Sequence, residues 1–382
     1  MRVAREVEVA VIGAGLVGLA AARALAGPGT VWIGAEPPPA PDALDARIYA
    51  LGPGNRAFLE ALGAWRAVRA GRVAPVHAMQ VHGDDGRSRI VFDAWQAGVE
   101  ALAWIVEEAE LAAALRQGLE APLGTECSGA EFAAGRATLV LADGGTLAAR
   151  LVIGADGARS RVRAAAGIGV RESSYRQQAV VAHFACERPH RNAARQWFQA
   201  DGAVLALLPL PGERVSMVWS LAEAEAQRLM GLEPAALGRE LSRASQGVLG
   251  ELVPLAPAKA YALRRARAER AVAPRLALVG DAAHVVHPLA GQGANLGLQD
   301  VRVLARVLGA REPGRDPGEL GLLRRYERAR AEAVLATDAM VHGLARLFAA
   351  ESEVAARLRN AGLGLVDRLV PLKNLLARYA MA

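Results

Sequence analysis

Residues 7–24 read VEVAVIGAGLVGLAAARA: a buried strand, a glycine turn and a helix, in the order that a nucleotide-binding βα unit requires. In Gly13-Ala14-Gly15-Leu16-Val17-Gly18 the first glycine permits the tight turn, Gly15 lets the backbone approach a pyrophosphate, and Gly18 lets helix and strand pack closely. The helix start offers unpaired N–H groups and about half a positive charge to phosphate. A second strand, TVWIGAE, ends on Glu36, 23 residues after Gly13 and close to the ~20 expected of an acid on an adenosine ribose. An acid there favours a free 2′-hydroxyl over a 2′-phosphate. The chain opens as a dinucleotide site.

Two further glycine-bearing stretches follow apolar strands. LVIGADGARS carries Asp156 and Gly157, which on their own read as an Asp-Gly turn before an N-capped helix as readily as a ligand loop. RLALVGDAAHVVHPLAGQGANLGLQD places Asp281 at a strand end, where a carboxylate accepts hydrogen bonds from polyol hydroxyls. Gly291-Gln292-Gly293 then leads into a helix expected near Ala294. So much glycine is poor material for a core helix, each interior one costing about 1 kcal/mol against alanine. Bare backbone in that stretch is expected to meet a ligand.

Composition removes several classes. The net charge is +6, but lysine occurs only at Lys259 and Lys373 and the arginines are scattered without aromatic interleaving, so no nucleic-acid partner is expected. Cys127 and Cys186 belong to no C-x-x-C pair, which fits a reducing cytoplasm and argues against a dithiol redox enzyme; no metal site is expected. No apolar run approaches the ~18 residues of a membrane span, and the N-terminus lacks signal-peptide architecture. A soluble, cytoplasmic protein is the expectation.

EPPPAPDAL forbids regular structure. After it come a short amphipathic helix (GNRAFLEALGAW), a hairpin (VHAMQVHGDDGRSRIVFDAW) and a helix (ELAAALRQGL). ATLVLADGGTLAARLVIGADG reads as a second hairpin feeding a buried strand, and AVVAHFA, AVLALLPL and RVSMVWSL as strands. Two alanine-rich helices follow, then strands in AYALRRARAER and RLALVGDA, then helices from Asn295 onward. This order predicts an α/β fold of two interleaved domains. Residues 1–75, 95–172 and 272–312 form the nucleotide-binding domain, 76–94 and 173–271 a strand-rich substrate domain, and 313–382 a C-terminal helical segment.

The three glycine-bearing motifs, in this order and at these spacings, resemble the class A flavoprotein monooxygenases, the fold family of para-hydroxybenzoate hydroxylase. DARIYALGPGNRAFLEALGAW, HPLAGQGANLGLQD, the middle strands, RYERARAEAVLATDAMVHGLARLF and RNAGLGLVDRLVPLKNLLARYAM are similar to its ubiquinone-biosynthesis hydroxylases, so the resemblance covers almost the whole chain. It implies an FAD-binding Rossmann-like domain of the glutathione-reductase type interleaved with a β-sheet substrate domain. FAD would lie on Gly13, Gly15, Gly18 and Glu36, with Arg47 contacting it. Asp156 and Gly157 would serve both FAD and the nicotinamide cofactor, and Asp281 the ribityl chain. Pro288, Gly291, Gly293, Ala294 and Asn295 would follow the isoalloxazine edge. No second G-x-G-x-x-G is present, which separates the chain from pyridine-nucleotide disulfide reductases, and no W-x-W-x-I-P, which separates it from flavin halogenases. Val106-Glu107-Glu108 departs from the relatives' pattern, so no role is carried over to position 108.

The implied reaction takes electrons from NAD(P)H and oxygen from O2, through a flavin C4a-hydroperoxide, to the ring of a polyprenyl-phenol or quinol. Such chemistry needs an apolar pocket over the flavin. Leu205, Leu207, Leu208, Met217 and Trp219 are candidates for its wall, each equally at home in ordinary sheet core. His287 and Pro288 are the catalytic candidates, His287 as a base for the phenol and Pro288 through backbone shape. His284 could serve as that base as well, and both it and His287 read more readily as structural histidines bonded to nearby backbone; for His183 and His190, on or beside the middle sheet, substrate contact is the lesser reading. LVDRLVPLKNLLARYAMA suits a membrane surface as well as it suits packing, so inner-membrane contact, a biosynthetic complex and a homo-oligomer all stay open. The alternatives are a same-fold enzyme acting on a soluble aromatic and a non-catalytic FAD-binding scaffold.

Overall fold

Four parallel strands of one sheet end level with one another, and that register decides where the glycine turns emerge. The computed structural model describes residues 5–348 apart from 39, 86–87, 124–125 and 287–291. The chain begins with β1 (Arg5–Ile12), α1 (Leu16–Ala24), β2 (Thr30–Ile33), β3 (Ile48–Leu51), α2 (Pro53–Ala61), β4 (Val73–Val76), β5 (Ala78–His82), β6 (Arg89–Asp93), β7 (Ala103–Glu107) and α3 (Glu108–Arg116). It continues with β8 (Cys127–Phe132), β9 (Ala137–Leu141), β10 (Thr146–Gly154), α4 (Arg161–Ala165), β11 (Val170–Cys186), β12 (Ala193–Phe198), β13 (Val204–Leu210) and β14 (Arg214–Ala222). It closes with α5 (Glu223–Met230), α6 (Pro234–Ala244), β15 (Leu252–Pro254), β16 (Lys259–Ala268), β17 (Val272–Ala273), β18 (Leu276–Leu278), β19 (His284–Val285), α7 (Gln292–Gly309) and α8 (Leu320–Phe348).

The first sheet runs β17-β18-β10-β1-β2, with β9 along the first half of β10 and β8 beyond it. Val9, Ala10, Val11 and Ile12 are all buried, as expected of a parallel strand with both faces covered. Leu19, Leu111, Leu298 and Tyr326 bring α1, α3, α7 and α8 onto one face; Leu139, Leu147 and Ile168 fill the other. Ile12 stands opposite both Ile33 and Gly154, and Gly154 opposite Leu278. The turns after these residues therefore leave one edge together, the place where open α/β sheets bind ligands. Gly13, at φ +125°, touches the next turn so closely that a Cβ would stand 2.2 Å from the Ala155 carbonyl oxygen. A Cβ on Gly18 would stand 2.2 Å from the Gly13 carbonyl oxygen, so α1 packs hard against the turn that precedes it.

The second sheet has nine strands, in the order β19-β16-β11-β14-β13-β12-β5-β6 with β15 on β11. Its outer face carries Val180, Phe184, Leu205, Leu207, Met217 and Trp219, covered by Leu229 of α5 and Leu237 and Leu241 of α6. The inner face presents the alternate residues, Ala179, Val181, Ala206, Leu208 and Val218, toward the first sheet's edge. A small antiparallel sheet, β3-β7-β4, closes the space between them, with Val76 and Ile105 packed near Ala194 and Leu210.

Three sequence expectations change here. Strand β2 stops at Ile33, because its partner β1 ends at Ile12, and Glu36 lies beyond the ladder. Helix α7 starts at Gln292 rather than near Ala294. Of the five proposed wall residues only Leu208 faces inward; Leu205, Leu207, Met217 and Trp219 belong to the outer core. Side chains alternate along a strand, so choosing the wrong parity moves a whole set to the other face.

Candidate active site

One cavity of about 680 Å³ runs from the first sheet's edge to the inner face of the second. Gly15, Gly157 and Gly293 line it, and a Cβ added to any of them would meet nothing within 4 Å. Bare backbone there faces open space, which is what a closely approaching ligand needs. Gly15 is also the N-cap of α1 and provides no side-chain cap, leaving the helix's first N–H groups to an anion.

A polar cluster occupies the middle of the cavity. Arg47, just before β3, pairs with Glu108 at the start of α3 at 2.8 Å and lies 5.6 Å from the Tyr261 ring centre. Burial and the neighbouring Glu108 push the Tyr49 phenol well above its ordinary value. Asp281 follows β18 and opens onto the cleft, while protein encloses its other sides. That enclosure raises its carboxyl above the usual range, against the opposing pull of His284 and Arg47.

Three other sequence-predicted residues, Asp156, Asn295 and Glu36, stand outside the cavity lining. Asp156 Oδ2 accepts from the Arg161 N–H at 2.7 Å, and Ser160 Oγ from that of Arg163 at 3.0 Å, so both cap α4; Ala155 and Gly157 line the cavity instead. The Asn295 side chain accepts from Asn55 Nδ2 at 2.7 Å and from the Gly52 N–H at 3.1 Å, and donates to the Ala50 carbonyl at 2.7 Å. It fixes the start of α7 to β3 and α2, leaving Gly293 and Ala294 at the cavity. Glu36 is exposed and pairs with Arg116 at 2.7 Å, outside the cavity lining. His287, Pro288 and Gly291 lie outside the described residues.

Three of the described histidines bond within the protein. Buried His284 shares a proton with Asp300 at 2.7 Å, and Asp300 also accepts from Arg330 Nε at 2.6 Å and from the Gly280 N–H at 3.0 Å. Burial opposes the His284 charge, but Asp300 outweighs it and holds the imidazole above its ordinary value; His284 and Arg330 hold Asp300 below its own. His183 bonds the Asp45 carbonyl at 2.7 Å, and His190 that of Gly212 at 2.7 Å.

Sequence reasoning missed Tyr49, Glu108 and Tyr261, and it missed Arg163, which donates to the carbonyls of Ala282 and Ala158 and so ties the second turn to the third. Arg47 and Tyr49 stand two apart at a strand start, a signal available in ARIYAL; Arg163 gave none.

Comparison with known proteins agrees with this geometry. An FAD-binding-domain family matches residues 6–339. A Rhodospirillum rubrum protein named ubiquinone hydroxylase UbiL is 39% identical, the match covering 98% of this chain and 89% of that one. The 3-demethoxyubiquinol 3-hydroxylase of Escherichia coli is 37% identical, covering 98% of each. Among solved structures, Pseudomonas aeruginosa PqsL in complex with 2-aminobenzoylacetate superposes with a TM-score of 0.76 at 23% identity, covering 94% of this chain and 99% of that one. Klebsiella pneumoniae HpxO with FAD and uric acid gives 0.74 at 19% identity, covering 97% of each. The chain belongs to the class A FAD-dependent monooxygenases, in the branch of the ubiquinone-biosynthesis hydroxylases.

Proposed function

We propose that this flavoprotein hydroxylates the ring of a polyprenyl-phenol or quinol intermediate of ubiquinone biosynthesis, with NAD(P)H as reductant and O2 as oxygen source. The supporting observation is the continuity of a single cavity from a bare-backbone cradle to an apolar sheet face. The names of the two relatives point to the same substrate class. When bound, FAD supplies the redox chemistry, taking a hydride from NAD(P)H and activating O2.

In this reading residues 1–75, 95–172 and 272–312 hold the cofactor, and 76–94 and 173–271 the substrate. The uncapped start of α1 receives the pyrophosphate and Glu36 the adenosine ribose. Arg47, steadied by Glu108, reaches the cofactor, and Asp281 accepts from the ribityl hydroxyls. Gly293 and Ala294 offer main-chain groups to the ring system. Phe92, Ile105, Leu208 and Val218 exclude water and bed the substrate ring. A polyprenylated substrate partitions into lipid, so the enzyme works against a membrane surface; no helix among the described residues is long and apolar enough to cross one.

Labelled O2, NAD(P)H and a farnesylated phenol test this: label in the hydroxylated product is expected. Turnover of unprenylated phenols alone would replace it with a soluble-aromatic enzyme. FAD binding without any NAD(P)H oxidation would make the chain a scaffold. Asp281→Ala is expected to purify colourless, since losing a charge-assisted hydrogen bond of about 1.5–3 kcal/mol weakens FAD roughly 10- to 100-fold; a yellow, fully active variant would remove Asp281 from the site.

A further inference from the structure

Where β12, β13 and β14 line the cavity, their inward-facing residues are apolar except at one position; Ser216 and Ser220 share that face of β14 but stand outside the lining. Ala194, Ala206, Leu208 and Val218 line the cavity there, and between them stands Gln196, opposite Ala206 on β13 and Val81 on β5. Arg195 points the other way: it stands opposite outer-core Leu207, and its guanidinium bonds the His190 and Ala193 carbonyls. Gln196 is 7% exposed, and among the described residues its side chain has no hydrogen-bond partner. Gln196 shares the parity of cavity-lining Ala194 and Ala206, and its amide is not enclosed by protein, so it opens onto the cavity; Arg195 borders the same cavity from the other parity.

The Gln196 amide is not sealed from solvent, so the cavity supplies its partner, water or a ligand. A leucine of similar volume would fit against Ala206 and Leu208, so an amide at this place selects a polar partner. An amide offers both an acceptor and two donors, so it suits a ring oxygen in either state, a phenol O–H that donates or a carbonyl or ether oxygen that accepts. We propose that Gln196 determines specificity by hydrogen-bonding a ring oxygen of the substrate, fixing which edge of the ring meets the cofactor. This rests on the ring hydroxylation proposed above. It accounts for one polar group on an otherwise greasy wall: the chain slides along apolar side chains, and the amide gives the ring one orientation.

The test is a cycle between Gln196 and the ring hydroxyl. FAD-loaded wild type and Gln196→Leu are titrated with 2-farnesylphenol and with farnesylbenzene, read by perturbation of the flavin spectrum, and the same is done with 2-methylphenol and toluene. Wild type is expected to prefer the hydroxylated ligand about tenfold, and Gln196→Leu to lose that preference while binding the deoxy ligand as well as before. Gln196→Asn is expected to restore part of it, and product analysis should show mixed ring positions for the leucine variant. Retained FAD and unchanged farnesylbenzene affinity certify the fold. A preference that survives in Gln196→Leu, or one absent from wild type, overturns the assignment. If neither farnesyl ligand binds but the small pair shows the Gln196-dependent preference, the polyprenyl reading falls and the role of Gln196 stands.

Discussion

Where the parallel sheet ends, the cavity is walled by backbone: Gly15, Gly157 and Gly293 present no side chain, and the turns around them are locked by contacts such as Gly13 against Ala155. On the nine-stranded sheet the wall is made of side chains of one parity, Ala206, Leu208 and Val218, backed by an outer core of the other. The two regions should fail in opposite ways. Adding atoms injures the first, because space for the ligand is the function. Removing atoms injures the second, and the face a residue occupies decides whether folding or binding suffers.

The largest effect is expected from Gly13→Ala. Its φ of +125° and a Cβ 2.2 Å from the Ala155 carbonyl oxygen leave no relaxed arrangement, so stability should fall by more than about 4 kcal/mol, visible as little soluble protein or a collapsed melting transition. Gly15→Ala is its control. Its Cβ meets nothing within 4 Å, so the melting temperature should hold while FAD affinity drops about tenfold, measured by equilibrium fluorescence. A Gly15→Ala protein that binds FAD normally would mean the cradle is not where the cofactor lies.

Next comes the buried junction beneath the third turn. Asp300→Asn leaves Arg330 and His284 inside the protein without their anion and should cost roughly 3–5 kcal/mol. The pair also sets a pH signature. His284 is held above 6.5, so its contribution is complete below that pH and is lost as pH rises through the higher folded value. Asp300 is held below 3.8, so its contribution is complete above that pH and is lost as pH falls through the lower folded value. The junction contributes fully between the two. Melting temperature against pH should decline on both sides in wild type, and His284→Gln should remove the alkaline decline and weaken the acid one, leaving Arg330 alone to hold Asp300 low.

Leu205→Ala and Leu208→Ala then test parity directly. Leu205 is fully buried in the outer core, so its truncation should cost roughly 2–4 kcal/mol and leave substrate affinity alone. Leu208 faces the cavity, so its truncation should weaken ligand binding and raise peroxide leakage with a smaller shift in melting. Reversed results would place the substrate on the other side of the sheet.

The same contrast explains what was readable from the chain alone. Turns made of glycine declare themselves, because few other residues take their geometry, and the order of Gly13, Asp156 and Asp281 sufficed to place three loops on one edge. The roles of individual side chains there were harder. Asp156 and Asn295 were expected on the cofactor; Asp156 Oδ2 caps α4 and the Asn295 oxygen ties the α2–α7 junction, because a polar side chain near a helix start finds backbone partners, while Asp156 Oδ1 is buried without a protein partner. In the large sheet the strands were legible and their parity was not: AVLALLPL is apolar at nearly every position, so no alternation marks the inner face. The Arg47–Glu108 pair and Arg163 join segments far apart in sequence, which no local pattern reveals.

Glu36 gives the smallest effect and the finest distinction, because the role proposed for it, like that of Asp281, puts side-chain recognition at an edge otherwise built of backbone. It is 56% exposed and paired with Arg116, whose guanidinium lies 5.7 Å from the Trp32 ring centre. An exposed pair of this kind contributes about 0–1 kcal/mol, so Glu36→Gln should leave the melting temperature nearly unchanged. A ribose diol donates to a carboxylate more strongly than to an amide, so FAD should bind about three- to tenfold more weakly, and FMN, which has no adenosine, should bind no differently from wild type. Arg116→Ala separates position from charge: if Arg116 only aims the carboxylate, its loss should imitate the Glu36→Gln defect at lower amplitude, and the double variant should be no worse than Glu36→Gln. Additive losses would mean that Arg116 touches the nucleotide itself, and that this end of the first region, like the large sheet, reads its ligand with side chains.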